Sequence, residues 1–151
     1  MHGTGRVDRR PIVTLTAARR QFNATVLSAN RQKWIESLRD MIAELLSLLV
    51  AAAVIKSRWK AKWDQGRGPL GENPALLEKV ERMVLSRSKI GLLTKPSKPD
   101  HQQPCAAIDA AFNRLLSEES HEVETESDIQ GITALAQSIL KREWQRVKRG
   151  V

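Results

Sequence analysis

RQKWIESLRDMIAELLSLL, residues 31–49, is the stretch from which the fold of this chain can be read. Its apolar positions recur at alternating spacings of four and three. Trp34, Leu38, Met41, Leu45 and Leu48 begin a seam that continues through Ala52, Ile55 and Trp59. That rhythm belongs to helices packed nearly parallel or antiparallel to their neighbours. Ile42, Leu46 and Leu49 widen the stripe, which predicts burial on more than one side, with Glu36, Asp40, Glu44 and Ser47 on the wetter face. Upstream, Phe22, Val26, Ala29 and Leu38 offer a first seam. One long helix over 15–63, kinked near Ser28–Asn30, is the expectation.

The rest of the chain reads as shorter helices separated by breakers. Residues 64–72, DQGRGPLGE, hold three glycines and a proline and form the clearest linker. Asn73–Pro74 is a good helix start, because Asn caps and Pro loses no hydrogen bond in a first turn. The second helix is expected to reach Ser88 with Leu76, Leu77, Val80, Met83 and Val84 inward and Gly91 as terminator. TKPSKPD (94–100) is a second break. Asp100 with Gln103 resembles a capping box for a third helix, with Pro104 tolerated in its first turn and Ile108, Ala111, Phe112 and Leu115 facing inward. After the acidic stretch 118–128, the residues Ile129, Ile132, Leu135, Ala136, Ile139, Leu140 and Val147 define a fourth helix ending at Gly150. Alternating β-branched runs are missing. The expectation is an all-α bundle of about four helices with a long first helix: residues 1–13 as a disordered basic tail, 14–150 as a single domain.

Composition fits this reading. At 151 residues the chain can bury roughly two-thirds of its unfolded surface. Aromatics make up 4%, with no Tyr, so the core must be mainly Leu, Ile, Val and Ala. The net charge of +8 favours association with polyanions, nucleic acid or anionic lipid. A lone cysteine, Cys105, allows no intramolecular disulfide. The longest apolar stretch, Met41–Ile55, is short of the roughly twenty residues of a bilayer span and contains Glu44. The N-terminus lacks the apolar core of a signal peptide. The expected location is cytoplasmic, or peripheral to the inner membrane.

Catalytic and metal-binding patterns are missing from the sequence. His2, His101 and His121 are isolated, so no metal site is expected, and no cofactor. His101 and Cys105 stand four apart and could share a face. The reading preferred for them is a surface or capping histidine and a small buried thiol. GRGPLG (66–71) lacks both a phosphate-loop ending and a preceding strand. The carboxylate rows Glu36–Asp40 and Asp40–Glu44 suit solubility and ion pairing better than acid–base chemistry.

Three stretches carry a resemblance. SANRQKWIESLRDMIAELLS (28–47), RSKIGLLTKPSKPDHQQ (87–103) and ITALAQSILKREWQRVKRG (132–150) together resemble a group of uncharacterised bacterial and phage helical proteins. Members of that group often carry transmembrane helices ahead of the RQxWI segment, and some sit beside phage or mobile-element genes. No catalytic activity is attached to the group, so the resemblance implies no active site. The chain departs from it in having a short arginine-rich tail at the N-terminus, and LLTKP where an asparagine–proline break is usual.

Two residue sets stand out as candidate sites. Arg31, Trp34, Arg39 and Asp40, read beside Glu143 and Trp144 of the last helix, suggest a structural arginine–carboxylate clasp between first and last helices, with Arg39 reaching Glu143. Lys56, Arg58, Trp59, Lys60, Lys62 and Trp63 interleave indoles with cations, the composition of a membrane or nucleic-acid contact stripe. The preferred reading of that stripe is that the indoles close the bundle's end while the lysines extend past them. The leading expectation for function is a non-enzymatic helical interaction or accessory domain with an unknown protein partner. Peripheral binding to an anionic membrane surface and weak, non-specific nucleic-acid binding are the alternatives.

Overall fold

In a computed structural model the chain is all-α; the structure describes residues 3, 10–62, 68–117 and 122–150. Four helices run in order: α1, Arg10–Lys60; α2, Pro74–Leu93; α3, Pro99–Leu116; and α4, Glu122–Arg149. A single 3-10 turn, Leu70–Glu72, precedes α2, and the described residues contain no strand. α1 is the spine. It packs mainly against α2 on one side and α4 on the other, and α3 closes the far side against α4.

The seam from Trp34 to Trp59 is the centre of the core. Leu38, Leu45, Leu49 and Ala52 are buried, and Trp34, Met41 and Ile55 pack partly buried against the same cluster. Their partners are Leu76, Met83 and Ile90 of α2, Ile108 and Leu115 of α3, and Ile132, Ala136 and Ile139 of α4. Most of the apolar run 41–55 goes into this interior, with Val50 and Val54 left exposed. No helix among the described residues is long and apolar enough to cross a membrane.

Several local expectations need correction. α1 begins at Arg10, inside the segment expected to be disordered, with Pro11 in the first turn where a missing N–H costs nothing; the remainder of that segment, Gly3 apart, lies outside the described residues. α1 also runs unbroken through Ser28–Asn30. α2 does not stop at Gly91. It continues to Leu93, where Thr94 closes it: the backbone N–H and the hydroxyl of Thr94 both donate to Ile90 O, at 3.0 and 2.9 Å. Pro96 then disfavours a helical conformation at Lys95. The inward stripe of α2 is Leu76, Met83 and Ile90, which leaves Leu77 and Val84 exposed.

At the start of α3 the N-cap position is Lys98, without a side-chain cap, and Asp100 bonds Arg142 of α4 instead of capping. Pro104 is buried in the second turn, where it withholds the N–H that would bond the carbonyl of Asp100. The Asn73 cap is present as expected from the sequence: Oδ1 accepts from Ala75 and Leu76 N–H at 3.1 and 3.2 Å. α4 starts within the acidic stretch itself. Glu124, Glu126 and Asp128 occupy its first turns, where negative charge complements the helix dipole. Asp128 accepts both N–H groups of Arg114, tying the end of α3 to the start of α4.

Candidate functional site

The basic–indole stripe at the end of α1 is largely internal. Lys56 is only 6% exposed, and its Nζ donates to the carbonyls of Arg114 and Ser117 at the C-terminus of α3. Arg114 O also accepts the Ser117 N–H at 3.2 Å, and both carbonyls sit at the negative end of the helix dipole, so an ammonium is well placed there. Trp59 is buried too, its indole N–H donating to Gly68 O at 3.0 Å. The role of Lys56 and Trp59 as surface contacts is therefore corrected: both hold loop and helix termini onto α1. Lys60 is half-buried, Arg58 and Lys62 are exposed, and Trp63 lies outside the described residues.

At the opposite end of the core seam the three stretches that carry the resemblance meet. Trp34 of α1 donates its indole N–H to Leu93 O, the last residue of α2, at 2.6 Å. Its ring stacks on His101 of α3, with centroids 5.7 Å apart and planes 20° from parallel. His101 is 2% exposed. Its Nδ1 accepts the backbone N–H of Lys95 at 3.1 Å, which puts the proton of the neutral imidazole on Nε2. Nε2 is the one buried side-chain nitrogen or oxygen, among the described residues, without a hydrogen-bond partner. Burial holds the imidazole below its ordinary pKa, and Asp100 pulls weakly the other way.

Glu143 of α4 lies beside this pair, nearly buried. Arg31 Nε approaches its Oε2 at 3.8 Å, and Arg146 donates to its Oε1 at 3.0 Å. A clasp between α1 and α4 is thus present, but Arg31 makes it. Arg39 instead faces Asp40 on its own helix at 3.6 Å, both side chains well exposed. Helical geometry explains the difference: Arg31 lies near the line of the core stripe and Arg39 does not. Trp144 is 40% exposed, with the Lys148 ammonium 6.0 Å from its ring centroid, and takes no part in the clasp.

Around these residues opens a cleft of about 280 Å³ lined by Asn30, Arg31, Trp34, Lys95, Lys98, His101, Glu143 and Arg146, with Leu93. A second cleft of about 320 Å³, which shares Lys95 and His101 with the first, holds Cys105, Thr94 and the Arg87–Asp109 pair. The thiol of Cys105 is 3.6 Å from Thr94 Oγ1, while His101 spends Nδ1 on the backbone of Lys95. The arrangement gives Cys105 no imidazole base. Among the described residues no group of three His, Cys, Asp or Glu side chains could hold a metal ion.

Beyond this cleft only the C-terminal end of α4 accompanies α1: Arg146 and Gly150 line a cleft of about 250 Å³ with Arg20, Asn23, Ala24 and Leu27. From Thr14 to Asn30 every residue except Ser28 is exposed. Leu15 is 70% and Phe22 68% exposed, and Val26 and Leu27 are open as well. The seam expected from Phe22 and Val26 is therefore not part of the core. At 100° per residue, Leu15, Phe22 and Val26 fall roughly 120° around the helix from Leu38, Leu45 and Ala52. The bundle covers the second stripe and leaves the first open.

The burial of His101 and the basic loop residues Lys95 and Lys98 were not singled out from sequence as site residues. The one available signal was the position of His101 within the second resemblance stretch, between Pro99 and Pro104. Comparison with protein-family models, with curated proteins and with solved structures found no match to this chain.

Proposed function

We propose that the chain is a non-enzymatic helical interaction domain whose docking element is the projecting arm of α1, residues 14–30. As the resemblance implies, it would serve as an accessory partner in a bacterial or phage-derived system. The observation that carries this reading is the arm itself: a helix with an apolar stripe that its own bundle leaves uncovered. Isolated helices gain little from propensity alone, and large exposed apolar side chains in a row mark a contact surface. Residues 9–35 contain no Asp or Glu but include Arg9, Arg10, Arg19, Arg20, Arg31 and Lys33. A second copy of the arm would meet like charge. The fitting occupant is an amphipathic helix of a partner protein with acidic flanks.

A photo-crosslinking amino acid at position 22 of the full chain, in its host, tests this. The control is the same group at Leu92, which is 88% exposed on the bundle. A discrete protein adduct from position 22 alone, lost in Arg19→Glu/Arg20→Glu, is the expected result. Equal labelling at both positions overturns it. Binding to anionic vesicles abolished by Phe22→Glu, with no protein adduct, would replace the partner helix with a membrane surface.

A further inference from the structure

We propose that the cleft between Arg31, Lys95, Lys98 and Arg146 is a binding site for a phosphate-class oxyanion, a site that goes beyond the docking role of the arm. The argument is one of unmatched donors. Four cations line the cleft, and Glu143 is the single carboxylate among its lining residues. Glu143 is already shared by Arg31 and Arg146. The ammonium groups of Lys95 and Lys98 have no carboxylate partner among the described residues.

Two further features of the wall have the same polarity. α3 begins at this point without a side-chain cap, and Asp100, the acid of its first turn, is bonded to Arg142 outside the cleft. Pro99 has no N–H, and those of His101 and Gln102 bond Lys98 O, so what the N-terminus of this 18-residue helix adds is its dipole and the Asp100 N–H. His101 lines the cleft too, and its Nε2–H is a buried donor that finds no acceptor within the fold. The two ammonium groups, and the guanidinium N–H groups that Glu143 leaves over, demand an acceptor, and none of them offers one. A tetrahedral oxyanion satisfies several such donors at once, and guanidinium groups bind it through two oxygens. The cleft volume of about 280 Å³ admits a phosphate with part of the group that bears it. The bearer is either a small phosphorylated molecule or a phospholipid headgroup.

Titrating the 15N-labelled full chain with inorganic phosphate, at constant ionic strength set by chloride, tests the site. The expected result is saturable shifts of the Trp34 indole N–H and of the backbone amides of Lys98, Asp100, His101 and Gln102. Lys95→Glu/Lys98→Glu should weaken the affinity about tenfold or more, as removal of charge-assisted bonds does. Lys89→Glu/Lys141→Glu makes the same charge change at exposed lysines elsewhere and should leave it within about twofold. If the first pair perturbs folding, Lys95→Gln/Lys98→Gln carries the same comparison. Shifts that fail to saturate, or equal weakening by both pairs, overturn the proposal. Phosphatidylglycerol vesicles, set against phosphatidylcholine vesicles, separate the sources: capture that phosphate competes away assigns the headgroup, and phosphate binding without capture assigns the small molecule. Leu15→Ser, which removes an exposed apolar side chain of the arm without changing charge, should leave this titration unchanged, so the two ideas fail separately.

Discussion

Trp34 and His101 form the joint between the spine of the bundle and its third helix: ring on ring at 5.7 Å, each also bonded to backbone at the α2–α3 turn. Indole N–H to Leu93 O and Lys95 N–H to imidazole Nδ1 together fix both ends of the turn. Trp34→Phe keeps the stack and loses one hydrogen bond, leaving a part-buried carbonyl unpaired. It should cost about 1–2 kcal/mol. Trp34→Ala also leaves a void and should cost about 3–5 kcal/mol. Urea denaturation of the two variants checks the separation.

His101 predicts a pH dependence of known sign. Burial lowers its pKa in the folded state, so the neutral form is favoured there. The unfolded chain then binds more protons just below the ordinary histidine value of about 6.5. The stabilisation from the neutral imidazole is complete above that value. It is lost as pH falls through it toward the lower folded pKa. Protonation also converts Nδ1 from acceptor to donor, in conflict with the Lys95 N–H. His101→Asn keeps a side-chain acceptor without titrating. The difference in urea midpoint between wild type and this variant should narrow from pH 7.5 to pH 5.5 if the loss belongs to His101.

Lys56 should behave as a structural residue. Lys56→Met keeps the aliphatic stem and removes the donor to Arg114 and Ser117 O, with an expected cost of about 1–3 kcal/mol. Lys62→Met, at an exposed position, should stay within about 0.5 kcal/mol. Equal effects in thermal unfolding would refute the internal role.

The clasp separates in the same way. Arg39→Ala removes a surface pair and should change stability by less than about 1 kcal/mol. Glu143→Leu strips Arg31 and Arg146 of their carboxylate in a nearly buried setting and should cost about 1–3 kcal/mol, discounted for the partial exposure of both arginines. Denaturant midpoints of the two variants decide it.

Phe22→Ala should be nearly neutral, within about 0.5 kcal/mol, because the ring is uncovered. Leu45→Ala, at a fully buried position of the same helix, should cost about 2–5 kcal/mol. A large loss at Phe22 would mean the arm folds back onto the bundle.

The spine was legible in the sequence because the Trp34–Trp59 seam repeats at threes and fours long enough to admit only one period. The stripe through Phe22 and Val26 has a similar period, and periodicity alone does not say which of two stripes finds a partner. Lys56 looked like a surface cation because charge is normally solvated; only the α3 terminus, distant in sequence, gives it acceptors. Arg39 was expected to reach Glu143 because it stands beside Asp40 in the motif, and the phase of the helix gives that place to Arg31. The pairing of Trp34 with His101 joins two stretches that local pattern cannot connect, so the candidate cleft emerged only from the tertiary structure.

From Ile12 to Lys60 the first helix contains neither glycine nor proline, the residues at which helices most often bend. The arm and the Lys56–Trp59 end are thus one stiff rod, with Phe22 and Lys56 roughly 50 Å apart along its axis. At its far end that rod is pinned: Lys56 ties it to the carbonyls of Arg114 and Ser117, while near its middle Trp34 and His101 join it to the α2–α3 turn.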